Sequence, residues 1–405
     1  MAASCCPQIV GKIVLRYAAR RIDRGPAATD VAMNRRQWLT GCVSAGMVYA
    51  ASTTAWAMSN GNSPARIVFL NPGEQSEHGT GQHWQLVSRF MAATAERLGM
   101  QLEVQYAERD HLLMLRQAEA VAARSDPPDY VVIVNEKMAA QAMLHTLSRS
   151  RTKVLLIHND LTDAQRAETG NERSAIANWI GTVTADALRG SFRLMDYLCR
   201  LNGTGPARVI GITGDPLTPV SKERAQGVAA ALTRRPEDRV DQLVFGDWSE
   251  ADGHEKALVL LSRYPDANIV WAANDSMTLG ALAAVRERHA NVIVGGLGAL
   301  PEAVETVMRG ELAAIVAGDQ FIGACAMVVL YDYHQGVDFA DAGGPRLKLD
   351  YLKVLYGENA TRYDEITYRR GTAPDFSVFS RYRQRQAGPY RFDLQPLLDR
   401  AAKAA

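Results

Sequence analysis

Residues 267–287 read ANIVWAANDSMTLGALAAVRE, and this stretch decides the fold class. Residues 268–273 form a short apolar run rich in β-formers, which predicts a strand. The run breaks at Asn274 and Asp275, and a helical pattern follows at once. Ser276 is the expected N-cap, with Leu279, Leu282 and Val285 on one face at steps of three. A strand that ends in two polar side chains and feeds a helix is a unit of a parallel α/β sheet. In such sheets ligands bind at the carboxyl ends of the strands. An amide beside a carboxylate offers donors and acceptors to a polar small molecule.

The same unit recurs in both directions. Upstream, strands are expected at residues 66–70, 102–106, 130–134, 154–158 and 179–183, with helices at 82–98, 112–123, 139–148 and 185–201 between and after them. The pattern then restarts. Strands at 208–212, 240–245, 268–273, 292–297 and 313–317 alternate with helices at 221–233, 250–264, 276–289, 301–309 and 321–333. Such βαβ alternation implies parallel sheets with right-handed crossovers. Two consecutive sets imply an α/β protein of two doubly wound, Rossmann-like lobes with a cleft between them.

The ends of the chain read differently. Arg35 and Arg36 precede a run from Gln37 to Asn62 without a charged residue, and Ala55-Trp56-Ala57 forms a small-x-small pattern. A basic region, an apolar stretch and such a site predict an export signal cleaved after Ala57, preceded by a basic extension. The arginine pair resembles a twin-arginine signal, although Trp38 and Thr40 depart from its pattern, so that route and general secretion both stay open. Leu39-Thr40-Gly41-Cys42 also resembles a lipoprotein box. The tail after about residue 363 is rich in Arg, Tyr and Phe and is expected to wrap on one lobe.

Composition narrows the function classes. The 405 residues carry 45 Lys and Arg against 44 Asp and Glu, so nothing points to nucleic acid. Of the five cysteines, only Cys199 and Cys325 follow the expected cleavage site, and both sit in apolar helical patterns. No zinc spacing is present.

Four segments together resemble the type I periplasmic binding proteins of the ribose-binding kind. Residues 209–227, VIGITGDPLTPVSKERAQG, look like that family's second-lobe strand, loop and R-x-x-G helix. Residues 270–280 look like its strand ending in Asn-Asp. Residues 294–320 look like its small-residue turn, helix and G-x-L before a strand ending near Gln, and residues 179–190 like its first crossover. Asn71-Pro72-Gly73, the Trp84 helix and Asn135-Glu136-Lys137 resemble the autoinducer-2-receptor branch.

The resemblance implies three hinge crossings. An N-terminal lobe would comprise 65–183 plus 320–350, and a C-terminal lobe 184–319 plus 351–365. Residues 1–57 would be the export signal and 366–405 a peripheral extension. It also implies a periplasmic receptor, a monomer without cofactor, metal or enzymatic step. The receptor would capture a sugar or polyol and present it to an ABC transporter permease, or alternatively to a membrane sensor kinase.

Candidate ligand residues sit at expected strand ends. Trp84 and Trp248 offer indole faces for a sugar ring. Asn71, Asn135, Asn159 and Asp160 end first-lobe strands, and Asp160 is the expected hydroxyl-accepting acid. Arg224 supplies a planar fork, Asn274 ends the quoted strand, and Gln320 ends the strand at a hinge crossing. Glu74 reads as a solvated loop acid and His83 as a surface helix residue.

Other functions fit poorly. Gly295-Gly296-Leu297-Gly298 follows a strand, but Pro301 stands where a dinucleotide motif needs its third glycine. Ser221 and His254 lack a G-x-S-x-G elbow. A sugar-responsive repressor of this fold would carry a helix-turn-helix where the export signal lies.

Overall fold

A computed structural model of the chain describes residues 63–76 and 81–395. The expected export signal, its arginine pair and Cys42 lie outside the described residues. Among the described residues, no helix is long and apolar enough to cross a membrane.

The first half alternates strand and helix as β1 (Arg66–Asn71), α1 (His83–Arg97), β2 (Gln101–Tyr106), α2 (His111–Ala122), β3 (Tyr130–Val134), α3 (Ala140–Leu147), β4 (Lys153–Ile157), α4 (Asp163–Thr169) and β5 (Trp179–Ala185). The second half runs α5 (Ala187–Leu201), β6 (Arg208–Thr213), α6 (Pro219–Leu232), β7 (Arg239–Phe245), α7 (Glu250–Arg263), β8 (Ile269–Ala272), α8 (Asp275–Glu287), β9 (Ile293–Leu297), α9 (Pro301–Met308), β10 (Ala314–Ala317) and α10 (Ile322–His334). Then come β11 (Arg346–Leu349), β12 (Lys353–Leu355), α11 (Gly357–Asp364) and α12 (Arg381–Gln384).

Two six-stranded sheets result, ordered β11-β5-β4-β3-β1-β2 and β12-β10-β9-β8-β6-β7. All pairings are parallel except β10 with β12. Central strands are buried on both faces, which explains why Tyr130–Val134 reads YVVIV, without polar alternation. Close helix packing fixes the layers. A side chain at Gly253 would strike the backbone of Met277, and one at Gly280 the backbone of Glu250, so α7 and α8 meet without intervening side chains.

The chain crosses between the two sheets three times, as the fold class implies: to the second after β5, back between β10 and α10, and to the second again between β11 and β12. In each sheet the strand order turns at β1/β3 or β6/β8, and the carboxyl ends of these strands face the gap between the lobes.

The tail differs from expectation. It engages both lobes rather than one. Lys353 of β12 pairs with Asp393, and the Tyr368 hydroxyl donates to the Ala299 carbonyl, both on the second lobe. Phe376 packs on Phe321, the N-cap of helix α10 that covers the first sheet, with ring centroids 5.0 Å apart. Buried Asp332 of α10 accepts from the Ser380 and Tyr390 hydroxyls and from the backbone N–H groups of Arg381 and Tyr382. The reason is geometric: α11 lies on α9 of the second lobe, so the return to α10 must pass the crossings.

Candidate functional site

A cleft that opens to solvent lies between the lobes. Its lining comes from residues just beyond strand ends. His83 and Trp84 open α1 after β1, Arg109 follows β2, Glu136 follows β3, and His158 and Asn159 follow β4. From the other lobe come Thr218 and Arg224 after β6, Trp248 after β7, Asn274 to Ser276 after β8, and Leu297, Gly298 and Leu300 around the end of β9. Asp319 sits on the crossing after β10.

Three lining residues that are not glycine, Arg109, His158 and Trp248, adopt positive φ of 60°, 66° and 76°. Left-handed backbone is costly for such residues and persists where the surroundings impose it, commonly at binding sites. Gly298 is also left-handed, and a Cβ there would overlap the Asp275 carboxylate.

Asp319 is the electrostatic centre. Its Oδ2 lies 2.5 Å from Arg224 Nη2, 3.1 Å from His158 Nε2 and 3.9 Å from His83 Nε2. Burial opposes its ionisation, but the His158 and Arg224 side chains outweigh burial and hold the carboxyl well below the usual carboxylate range. His83 is pushed down to about 3, chiefly by burial, so its ring is neutral. Asp275 is pushed up to about 7, again chiefly by burial, although the Leu300 N–H bonded to it works the other way. Arg224 also donates to the Ala273 carbonyl and lies over the Trp248 ring, while Arg109 pairs with Glu136 at 3.0 Å. The two arginines of the cleft are therefore matched by two carboxylates.

Several polar atoms of the lining have no hydrogen-bond partner among the described residues: His83 Nε2, His158 Nδ1, Asn159 Nδ2, Thr218 Oγ1 and Arg224 Nε. His158 presents Nε2 to the Asp319 carboxylate, so Nε2 carries a proton and donates to it. The unmatched set thus mixes two donors, Asn159 Nδ2 and Arg224 Nε, with a hydroxyl and two imidazole nitrogens. Leaving buried polar atoms unmatched costs about 1–3 kcal/mol each.

A scan against protein families matches residues 76–337 to the periplasmic binding protein domain. The chain belongs to the periplasmic binding protein family. It is 32% identical to a periplasmic sugar-binding protein from Pseudomonas fluorescens, whose crystal structure superimposes with a TM-score of 0.73 over 82% of this chain and 99% of that one. It is 28% identical over 330 residues to the ribose import binding protein of Salmonella typhimurium, covering 79% of this chain and 90% of that protein. The fold is also that of a solute-binding protein from Actinobacillus succinogenes holding D-allose, at 18% identity and a TM-score of 0.64, covering 74% of this chain and all of that one.

Within this family member, the structure brings together five of the nine residues proposed from sequence: Trp84, Asn159, Arg224, Trp248 and Asn274 all line the cleft. Four do not. Asn71 is fully buried behind it, donating to the Trp84 carbonyl and Ser88 Oγ and accepting from Gly73 N–H. Asn135 likewise ties Asp160, Gln165 and Ala140 together. Asp160 pairs with Arg166 and lies 3.8 Å from Arg346, away from the cleft. Gln320 donates to the Tyr363 and Tyr368 hydroxyls behind the hinge, and its neighbour Asp319 takes the cleft position instead.

Two helix readings also change. Asn274, not Ser276, caps α8, accepting from Met277 N–H while its Nδ2 donates to the Trp248 carbonyl. Its contribution is to position Trp248 and the helix. His83 is not a surface residue but part of the cleft floor. Sequence reasoning missed His158, Asp319 and Arg109. The signal for His158 was present, because it directly precedes Asn159 at the end of β4.

Proposed function

We propose that the protein is a periplasmic receptor that captures a neutral polyhydroxylated ligand, a sugar or polyol, between its lobes for an ABC transporter permease. The mixture of unmatched polar atoms in the cleft carries this reading. Each hydroxyl both donates and accepts, so a polyol can satisfy Asn159 Nδ2, Arg224 Nε and His158 Nδ1 together. An anionic ligand would find no free counter-charge, since both cleft arginines are already paired. Trp84 and Trp248, one from each lobe, supply apolar walls for the C–H faces of a ring. The sugar-import descriptions of its relatives support the partner class and a periplasmic location. The names of these relatives speak of sugar binding and import, and they lend no support to a kinase partner.

Binding involves no chemical step in this account. Asn159 Oδ1 already accepts from Val220 N–H across the lobes at 3.3 Å, and Arg224 reaches Asp319 on the crossing. A ligand that joins the same groups stabilises the closed arrangement, which the permease would read.

A thermal-shift screen against neutral sugars, polyols, sugar acids and amino acids tests the reading. A neutral sugar or polyol at 100 times its Kd should stabilise the protein by about 2.7 kcal/mol. A response confined to charged ligands contradicts the neutral-ligand reading.

A further inference from the structure

His83 from α1, His158 from the turn after β4 and Asp319 from the crossing after β10 have ligating atoms within 4.8 Å of one another. Two imidazoles and one carboxylate form a ligand set suited to first-row divalent ions such as Zn²⁺ or Co²⁺, with positions left open. Bonds near 2.1 Å place such ligand atoms roughly 3–4 Å apart, a spacing that the 3.1 Å and 3.9 Å separations from Asp319 Oδ2 meet. His83 Nε2 also has no hydrogen-bond partner among the described residues, although it is buried and aimed at this point.

The group that opposes a cation there is Arg224, whose Nη2 lies 2.5 Å from the same oxygen. Its origin matters. The two histidines belong to the first lobe and Asp319 to the crossing, whereas Arg224 rides on α6 of the second lobe. A guanidinium and a dication repel each other, so only one can hold that oxygen. Movement of the second lobe would carry Arg224 away and leave the three ligands together.

We propose that His83, His158 and Asp319 form a divalent transition-metal site in competition with Arg224, so that metal binding and ligand-bound closure exclude one another. The site stands on its own geometry, and the competition with sugar rests on the receptor reading above. When His158 ligates through Nε2, the proton on Nε2 is displaced and Nδ1 carries the ring's N–H, a donor in the cleft. By linkage, metal weakens sugar binding by the same factor as sugar weakens metal binding.

The test is a calorimetric titration of chelator-treated protein with Zn²⁺, and with Co²⁺ to read its visible absorption. A single site is expected, lost in His83→Ala and His158→Ala and tightened about tenfold in Arg224→Ala, because the competing cation is gone. His83→Ala is the safer variant for folding, since that ring is the more exposed of the two. Zn²⁺ binding that is equal in the wild type and His83→Ala, or not tightened in Arg224→Ala, overturns the proposal. The metal arm contains no sugar, so a failed sugar screen leaves it readable. Zn²⁺ that binds at the site without weakening a sugar that does bind overturns the exclusion.

Discussion

Burial pushes the Asp275 carboxyl up to about 7 from an ordinary 3.8, so the folded chain prefers it protonated. The stability this contributes is complete below pH 4 and is lost as pH rises toward 7. His83 has the opposite sense. Its folded value of about 3 lies below the ordinary 6.5, so stability is lost as pH falls from about 6.5 toward 3. The two effects oppose each other between pH 4 and 6.5, and wild-type stability should be flat there. Asp275→Asn removes one of them. Its stability relative to the wild type should improve by about 2–4 kcal/mol between pH 4 and 8, read from denaturant midpoints. A constant difference across that range would refute the burial argument. At the same scale, Asn135→Ala should destabilise the fold by about 1–3 kcal/mol and leave ligand affinity unchanged, because all its bonds run to neighbours behind the cleft. A loss of affinity in a folded Asn135→Ala protein would return that residue to the binding set.

Elements with strong periodicity were legible in the sequence, and elements fixed by context were not. The strands and helices from β1 to α10 follow their apolar patterns to within a few residues, because buried parallel strands and amphipathic helices write themselves into composition. The omissions are instructive. β12 is three residues long, and β11, RLKL, is a short strip at the edge of the first sheet with alternate residues exposed. Neither has enough residues to show a period. α4 has seven residues and depends on a capping box between Thr162 and Gln165 rather than on an apolar stripe. The tail has anchors but no repeat, and its path across both lobes follows from where α11 lands. Phe376, fully buried against Phe321 and Phe379, should therefore matter despite lying outside the sheets. Phe376→Ala should cost about 3–5 kcal/mol in unfolding free energy. A change below 1 kcal/mol would show that the tail is dispensable.

At the scale of the molecule, strand order was what placed the site. Each sheet turns back on its own order at one point, and the two turning points face one another, so strand-end residues from both lobes meet across the cleft. Sequence could say that residues beyond strand ends face ligand. It could not say which of two adjacent residues does so, and this separates Asp319 from Gln320 and Asn159 from Asp160. That choice depends on backbone twist in the turns, as at His158 with its positive φ, which has no counterpart in composition.

The measurement that bears most directly on the account is a calorimetric titration with the neutral sugar that stabilises the chain best, in the wild type, Trp84→Ala and Arg224→Ala. One site per chain is expected, with affinity reduced by about 1–3 kcal/mol in each variant while the fold is retained. Undiminished affinity in both folded variants would place the ligand elsewhere and contradict the assignment of the cleft.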